Sequence, residues 1–457
     1  MNLPLHIMET RLKDEIMTRH KMGFLVNGLE AQLHSALGDR PALLALHKSL
    51  KQLPRRAGWP YNEPSDLAGI RQARPPAIPL LPFYLSECEI ENKIHGAWLG
   101  RSAGCILGKP LEMDLSMEDI REYLSGAEAL PLSNYVPAQS RSSKILRRDC
   151  AHSMLGLVSY AQEDDDLNYM CMAVKLLELK GACFSTLDAG MNWLQSVPFL
   201  WTWGPEHVIY LNLATAVGEY EAKDIDLEAV STYFNPELES IGAQIRADVY
   251  GYVCPGRPDL AAEFAWRDAC LTHRANGLYG AMWVAAMNAA AFTLVDMEQV
   301  IRAGLAQVPE NCRFSEAIHR TINWCHTDGD WQTTGQRIAE EYGHYTSGGA
   351  INNACFVAAA LLYGWGDGSG SPAERYERAI TIAVQFGFDT DCNGATAGSL
   401  AGLMTGAGLM PKKWTAPLND TLHTCVAEFG QVSISGIAQR TYQLSRIIRA
   451  ATNVSGL

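Results

Sequence analysis

Two segments far apart in the chain carry glycine at every fourth position. Gly96, Gly100, Gly104 and Gly108 form the first ladder, and Gly394, Gly398, Gly402 and Gly406 the second. Residues four apart lie on one face of a helix, so each segment reads as a helix with one stripe bare of side chains. Glycine in a helix interior is about 1 kcal/mol less favourable than alanine, and a ladder of four needs an offsetting gain. Close approach of a second backbone supplies one. The spacing therefore predicts two core helices lying side by side. Lys109-Pro110 leaves a loop at Gly104–Gly108 as the alternative, because the residue before proline disfavours helix.

Three stretches contain no charged residue: Asn276–Val295, Thr346–Gly366 and Cys392–Pro411. Each is long enough to cross a bilayer, yet each is rich in Gly, Ala, Ser, Thr and Asn, which suits a helix surrounded by other helices better. Strand-like alternation is scarce, so the chain is expected to be all-α. The first fifty residues also read as helical, with Ile16, Phe24, Leu25 and Leu29 recurring at roughly helical spacing. Pro54, Pro60, Pro64, Pro75, Pro76, Pro79 and Pro82 then rule out any long regular element. The expected organisation is a helical extension with a proline-rich connector over residues 1–90, and a main domain over residues 91–457.

Charge narrows the class of partner. The 37 Lys and Arg stand against 50 Asp and Glu, a formal net charge of −13, which argues against bulk nucleic-acid binding. Small-molecule substrates are the better expectation, with no membrane partner. The twelve cysteines are dispersed without a CxxC pair, as expected for small buried hydrophobes in a reducing compartment. The N-terminus lacks an apolar signal-peptide run, so the expected location is the cytoplasm. Phosphate-binding glycine loops, HExxH and GxSxG are absent. His273 and His344 are isolated and read as structural.

The carboxylates remain. Glu163-Asp164-Asp165-Asp166 precedes an amphipathic pattern at Leu167, Met170, Cys171, Val174 and Leu177, and so sits at a helix N-terminus. One Asp there caps a helix, but four adjacent acids exceed what a cap needs, and a divalent cation would relieve their repulsion. Asp389-Thr390-Asp391-Cys392 directly precedes the second ladder. Two Asp at i and i+2 converge on one ion only if the segment is an irregular turn. All-oxygen donors favour a hard cation, Mg²⁺ first, with Mn²⁺ or Ca²⁺ as alternatives. Glu112, at the end of the first ladder, would approach this site if the ladders pack. There it could polarise water or protonate a leaving group; otherwise it is a surface loop residue.

At these residues the sequence resembles the ADP-ribosylglycohydrolase family. The resemblance rests on GAWLGRSAGCILGKPLE (Gly96–Glu112), DDDLNYM (Asp164–Met170), NGLYGAMWVAAM (Asn276–Met287), INNACFVAAALLYG (Ile351–Gly364) and FDTDCNGATAGSLAG (Phe388–Gly402). It implies an orthogonal all-α domain with a two-Mg²⁺ centre that cleaves glycosidic bonds to the anomeric carbon of ADP-ribose. Carried over by position, Asp165 and Asp166 match the first acidic pair, and Asp389 and Asp391 the second. Asp164 stands where many members have Thr, Cys392 where a metal-binding Thr is usual, and Ala281 where related sequences often carry Glu. The implied metal set is Asp164, Asp165, Asp166, Asp389, Asp391 and Cys392. The implied catalytic groups are Asp165, Asp166 and Glu112, with Asp165 or Asp166 as base. Asn276, Tyr279, Asn352 and Asn353 are candidate substrate contacts, or else internal hydrogen-bond partners.

The main expectation is an Mg²⁺-dependent hydrolase of a ribosyl N-glycosidic bond, removing ADP-ribose from a side chain or small molecule. The rivals are a nucleoside or ribosylated-metabolite hydrolase in salvage, and a non-catalytic ADP-ribose-binding module.

Overall fold

The two glycine ladders meet. In the computed structural model, which describes residues 3–76, 83–112, 115–147, 149–366 and 368–455, they belong to helices Glu87–Gly108 and Thr390–Thr405. The helices run antiparallel. A Cβ on Gly96, Gly100 or Gly104 would strike the carbonyl oxygen of Gly402, Gly398 or Gly394, and one on Gly108 would strike that of Thr390. The second ladder meets the first reciprocally: Gly394, Gly398 and Gly402 lie against the carbonyls of Gly104, Gly100 and Gly96. The first helix continues through Gly108, so the loop alternative falls. The second ends at Thr405, and Gly406 leaves it with φ +74°.

Local chemistry explains where the first glycine helix begins. Ser86 Oγ accepts from the Glu89 amide at 3.3 Å while the Glu89 carboxylate accepts from the Ser86 amide at 2.8 Å, a reciprocal cap. With the two glycine helices included, the described residues form twenty-one α-helices and one short hairpin, Thr421–His423 with Gln431–Ser433. The uncharged stretches become helices Asn276–Ala290, Ala350–Trp365 and Thr390–Thr405, buried along nearly their whole length. Among the described residues no helix is long and apolar enough to cross a membrane. All twelve cysteines are free, and most are buried.

Helices Leu5–Lys21, Leu29–Ala36 and Arg40–Leu50 build a second, smaller core from Met8, Leu12, Ile16, Leu33, Leu43 and Leu50, with Phe234 reaching in from the larger body. Phe24 and Leu25 fall between helices, and Leu25 is exposed. In the connector, Glu63 is buried in a two-point pair with Arg313 (Nε to Oε1 2.8 Å, Nη2 to Oε2 3.0 Å), which pins the N-terminal helices to the rest. Pro79 and Pro82 lie outside the described residues.

Candidate functional site

Antiparallel packing of the ladders sets Lys109 and Glu112, beyond the end of one helix, beside Asp389, Asp391 and Cys392 at the start of the other. Thr390 Oγ1 donates to the Gly108 carbonyl at 2.8 Å and locks this register. Gly387 and Phe388 both adopt positive φ (+79° and +62°) before the helix starts. For Phe388 that conformation is unfavourable by about 1–3 kcal/mol. It makes the irregular turn that two Asp at i and i+2 require. Phe388 is held there against Phe356, ring centroids 5.0 Å apart.

The two acidic helix starts behave differently as caps. Asp164 is a working cap: its Oδ1 accepts from the Asp166 amide at 3.0 Å, and its Oδ2 takes the Lys109 ammonium at 2.6 Å. Asp389 occupies the corresponding position on its own helix and makes no capping bond. Its Oδ1 is buried without a hydrogen-bond partner, as is Asp166 Oδ2. Capping therefore accounts for Asp164 and leaves the other carboxylates unexplained.

Donor atoms collect into three overlapping groups, each within 4.8 Å: Asp164, Asp165 and Asp166; Asp166, Asp391 and Cys392; and Glu112, Asp389 and Asp391. Asp166 joins the first two groups, and Asp391 the last two. Burial, then repulsion from Asp164 and Asp166, pushes the Asp165 carboxyl well above the ordinary range. Burial likewise raises Asp166, outweighing the Arg101 guanidinium, and raises Asp389, with Asp391 adding to it. Asp391 is pushed up to about 6, by burial first and Asp164 next. Asp164 is held low: burial would raise it, but the charge and hydrogen bond of Lys109, with Arg147 and the Asp166 amide, together outweigh that. Burial and the surrounding carboxylates push the Cys392 thiol up, so it is neutral and within hydrogen-bonding reach of Asp166 and Asp389. An excess of buried carboxylate with orphaned oxygens fits a hard cation; a neutral thiol fits one poorly.

The cluster borders a cavity of about 1220 Å³, whose lining includes Glu112, Asp165, Asp389 and Cys392. The pattern of the ADP-ribosylglycohydrolase family matches residues 87–447. The chain belongs to that family. Among solved structures, an ADP-ribosylglycohydrolase-related protein complex is similar at 19% identity and a TM-score of 0.46, covering 78% of this chain and 99% of its own. No curated protein matches the chain. Family membership makes this a hydrolase fold for ADP-ribose linkages, and the match begins only at the first glycine helix.

For an ADP-ribosylglycohydrolase, the sequence-derived substrate contacts take an indirect place: Asn276, Tyr279, Asn352 and Asn353 are not among the residues lining the cavity. Asn276 Nδ2 donates to Glu63 at 3.0 Å and to Glu239 at 2.6 Å, and Tyr279 donates to the Pro64 carbonyl at 2.5 Å. Both fasten the connector. Asn352 donates to the Thr346 carbonyl (3.0 Å), and Asn353 to those of Ser347 (2.6 Å) and Gly349 (2.8 Å). They shape the 346–349 loop, whose Gly348 lies beside Asp389: a Cβ there would sit 3.7 Å from Asp389 Oδ2. Ala281 is buried in the core, away from the cavity lining. His273 is buried with Nδ1 2.6 Å from Thr272 Oγ1, and His344 Nδ1 bonds a backbone carbonyl at 3.0 Å.

Two basic residues matter that sequence reasoning passed over. Arg147 pairs with Glu112 and lies 3.9 Å from Asp391. Arg101, fully buried on the first ladder, bonds Asp166 Oδ1 (2.8 Å), the Asp166 carbonyl (3.0 Å) and Asp248 Oδ2 (2.9 Å). It is the single charged residue between Gly96 and Gly108, and that isolation was its signal. Arg101→Met strands two buried carboxylates, and is expected to lower stability by about 3–5 kcal/mol in urea unfolding. An unchanged midpoint would show that Arg101 holds nothing.

Proposed function

We propose that the chain hydrolyses a ribosyl N-glycosidic bond in an ADP-ribosylated compound, assisted by two Mg²⁺ ions. The observation that carries this reading is that Asp389 Oδ1, on a residue lining the cavity, and Asp166 Oδ2 are both buried without a hydrogen-bond partner. Asp165, Asp166, Asp389 and Asp391 would hold the ions, with Asp164 and Glu112 beside them; Cys392 would contribute little. Bound there, the cations would supply charge for the ribose hydroxyls and lower the pKa of an attacking water.

The chain's own residues do the rest. Arg101 fixes Asp166 through one carboxylate oxygen, which suits a ligand more than a mobile base. Asp165 lines the cavity and is only partly covered, so it takes the water's proton. Burial and its acidic neighbours raise its proton affinity above that of an ordinary carboxylate. Glu112 also lines the cavity, where its charge would favour an oxocarbenium-like transition state. Lys109 holds Asp164 in place, and Asn352 and Asn353 hold the loop beside Asp389.

The test is release of ADP-ribose from ADP-ribosyl-arginine peptides, with ADP-ribosyl-serine peptides and simple nucleosides in parallel, each in Mg²⁺ and in EDTA. Release from the arginine conjugate that EDTA abolishes is the expected result. Cleavage confined to nucleosides would move the function to salvage. Binding of ADP-ribose with no turnover would make the protein a binding module.

A further inference from the structure

The family match begins at residue 87, yet the cavity does not stop there. Asp14, Met17, Thr18 and Lys21, all on helix Leu5–Lys21, line the same cavity as Asp165 and Asp389. Their spacing of three and four residues puts them on one face of that helix. Met8, Leu12 and Ile16 lie on another face and fill the small N-terminal core. The helix therefore has two jobs, one face for its own core and one for the cavity. It is held in place at its C-terminal turn: Thr18 Oγ1 donates to the Pro236 carbonyl at 2.7 Å, and Arg313 donates to the Lys21 carbonyl at 3.2 Å.

A second observation comes from other segments. Met17 is 47% exposed, Ile145 79% and Trp203 57%. Scattered exposed apolar residues need no explanation, but these three come from separate parts of the chain and line one cavity. The cavity wall thus carries uncovered apolar side chains as well as the carboxylates Asp165 and Asp389, with the charged Asp14, Lys21, Glu206 and Glu237 also on it. A pocket built this way suits a ligand with a hydroxylated, metal-seeking sugar and a flat apolar group joined to it.

We propose that helix Leu5–Lys21 is a wall of the substrate site, and that Met17, with Ile145 and Trp203, selects the aromatic group of the substrate distal to the scissile bond. This rests on the ADP-ribose reading above and deepens it: substrate choice is shared by a segment outside the family domain. Met17, Ile145 and Trp203 are specificity-determining residues that take no part in bond cleavage.

The experiment compares two ligands by calorimetric titration of the full-length protein in Mg²⁺: ADP-ribose, which carries the aromatic base, and ribose 5-phosphate, which lacks it. Met17→Glu sets a charge on the apolar wall, and Met17→Ala removes the wall without adding charge. Both should melt within a few degrees of the parent, since Met17 is not in the core. Met17→Glu is expected to weaken ADP-ribose at least tenfold and Met17→Ala severalfold, with ribose 5-phosphate changed less than twofold in both. Should Met17→Glu fail to fold, Ile145→Glu serves with the same expectation. Unchanged ADP-ribose affinity in the folded variants overturns the inference while leaving the functional reading intact. Equal weakening of both ligands also overturns it, since a general distortion would do that. A parent protein that binds neither ligand overturns the functional reading, and this inference with it.

Discussion

Asp391→Asn is expected to raise the metal-free melting temperature and abolish the stabilisation by Mg²⁺, with a kcat loss of roughly a thousandfold, the scale of losing a built electrostatic stabiliser. Asp391 belongs to two of the three donor groups, so no other single change removes more of the cluster. Without a cation its charge is a liability, because burial and Asp164 push its carboxyl from 3.8 up to about 6. Each unit of such a shift corresponds to about 1.4 kcal/mol, so neutralising the group should relieve on the order of 3 kcal/mol at neutral pH. The sign with pH follows. A carboxyl raised in the folded state favours folding fully below its unfolded value, and that contribution is lost as pH rises through about 6. The metal-free parent should therefore lose stability across this window, while the Mg²⁺-induced rise in melting temperature grows, since the ligands must be deprotonated to bind. Asp391→Asn should flatten both trends. Thermal melts at several pH values, with Mg²⁺ and with EDTA, measure it. A variant that melts lower than the parent in EDTA and keeps its Mg²⁺ response would contradict the account.

The second large effect lies in the ladder. Gly104→Leu is expected to leave no soluble folded protein, and Gly104→Ala to be destabilised by about 3 kcal/mol, at the upper end of ordinary overpacking. The reason is positional. A Cβ at Gly104 would strike the Gly394 carbonyl, and backbone cannot swing aside as a side chain can. Gly218 provides the control: it is helical and exposed, and a Cβ there meets nothing within 4 Å. Gly218→Ala should stabilise by roughly 0.5–1 kcal/mol, the intrinsic helix preference alone. Urea unfolding of the three variants tests the pair. Equal effects of alanine at 104 and 218 would mean that the helices are not in backbone contact.

These positions also show what the sequence could and could not reveal. A four-residue glycine repeat has one physical use in a helix, and it paired two distant segments correctly. That pairing carried Glu112 to Asp389 and Asp391, so the site was legible through the fold. The polar residues on uncharged helices were less legible. A buried asparagine announces that it needs partners but not which ones, and Asn276 finds Glu63 in the connector, 213 residues away. Asn352 and Asn353 find backbone carbonyls, and so act on the site through a loop. Arg101 was visible only as a lone charge among small residues. The contribution of helix Leu5–Lys21 to the cavity has no local signal at all, because Asp14, Met17, Thr18 and Lys21 read as an ordinary exposed face.

The central claim is that the carboxylates of two distant helix starts form one divalent-cation centre. Anomalous scattering from crystals soaked in Mn²⁺ tests it most directly. The account predicts two strong anomalous peaks, one among Asp165, Asp166 and Asp391 and one beside Asp389, with both lost in Asp391→Asn. Ordered Asp165, Asp166, Asp389 and Asp391 side chains with no peak among them would contradict it.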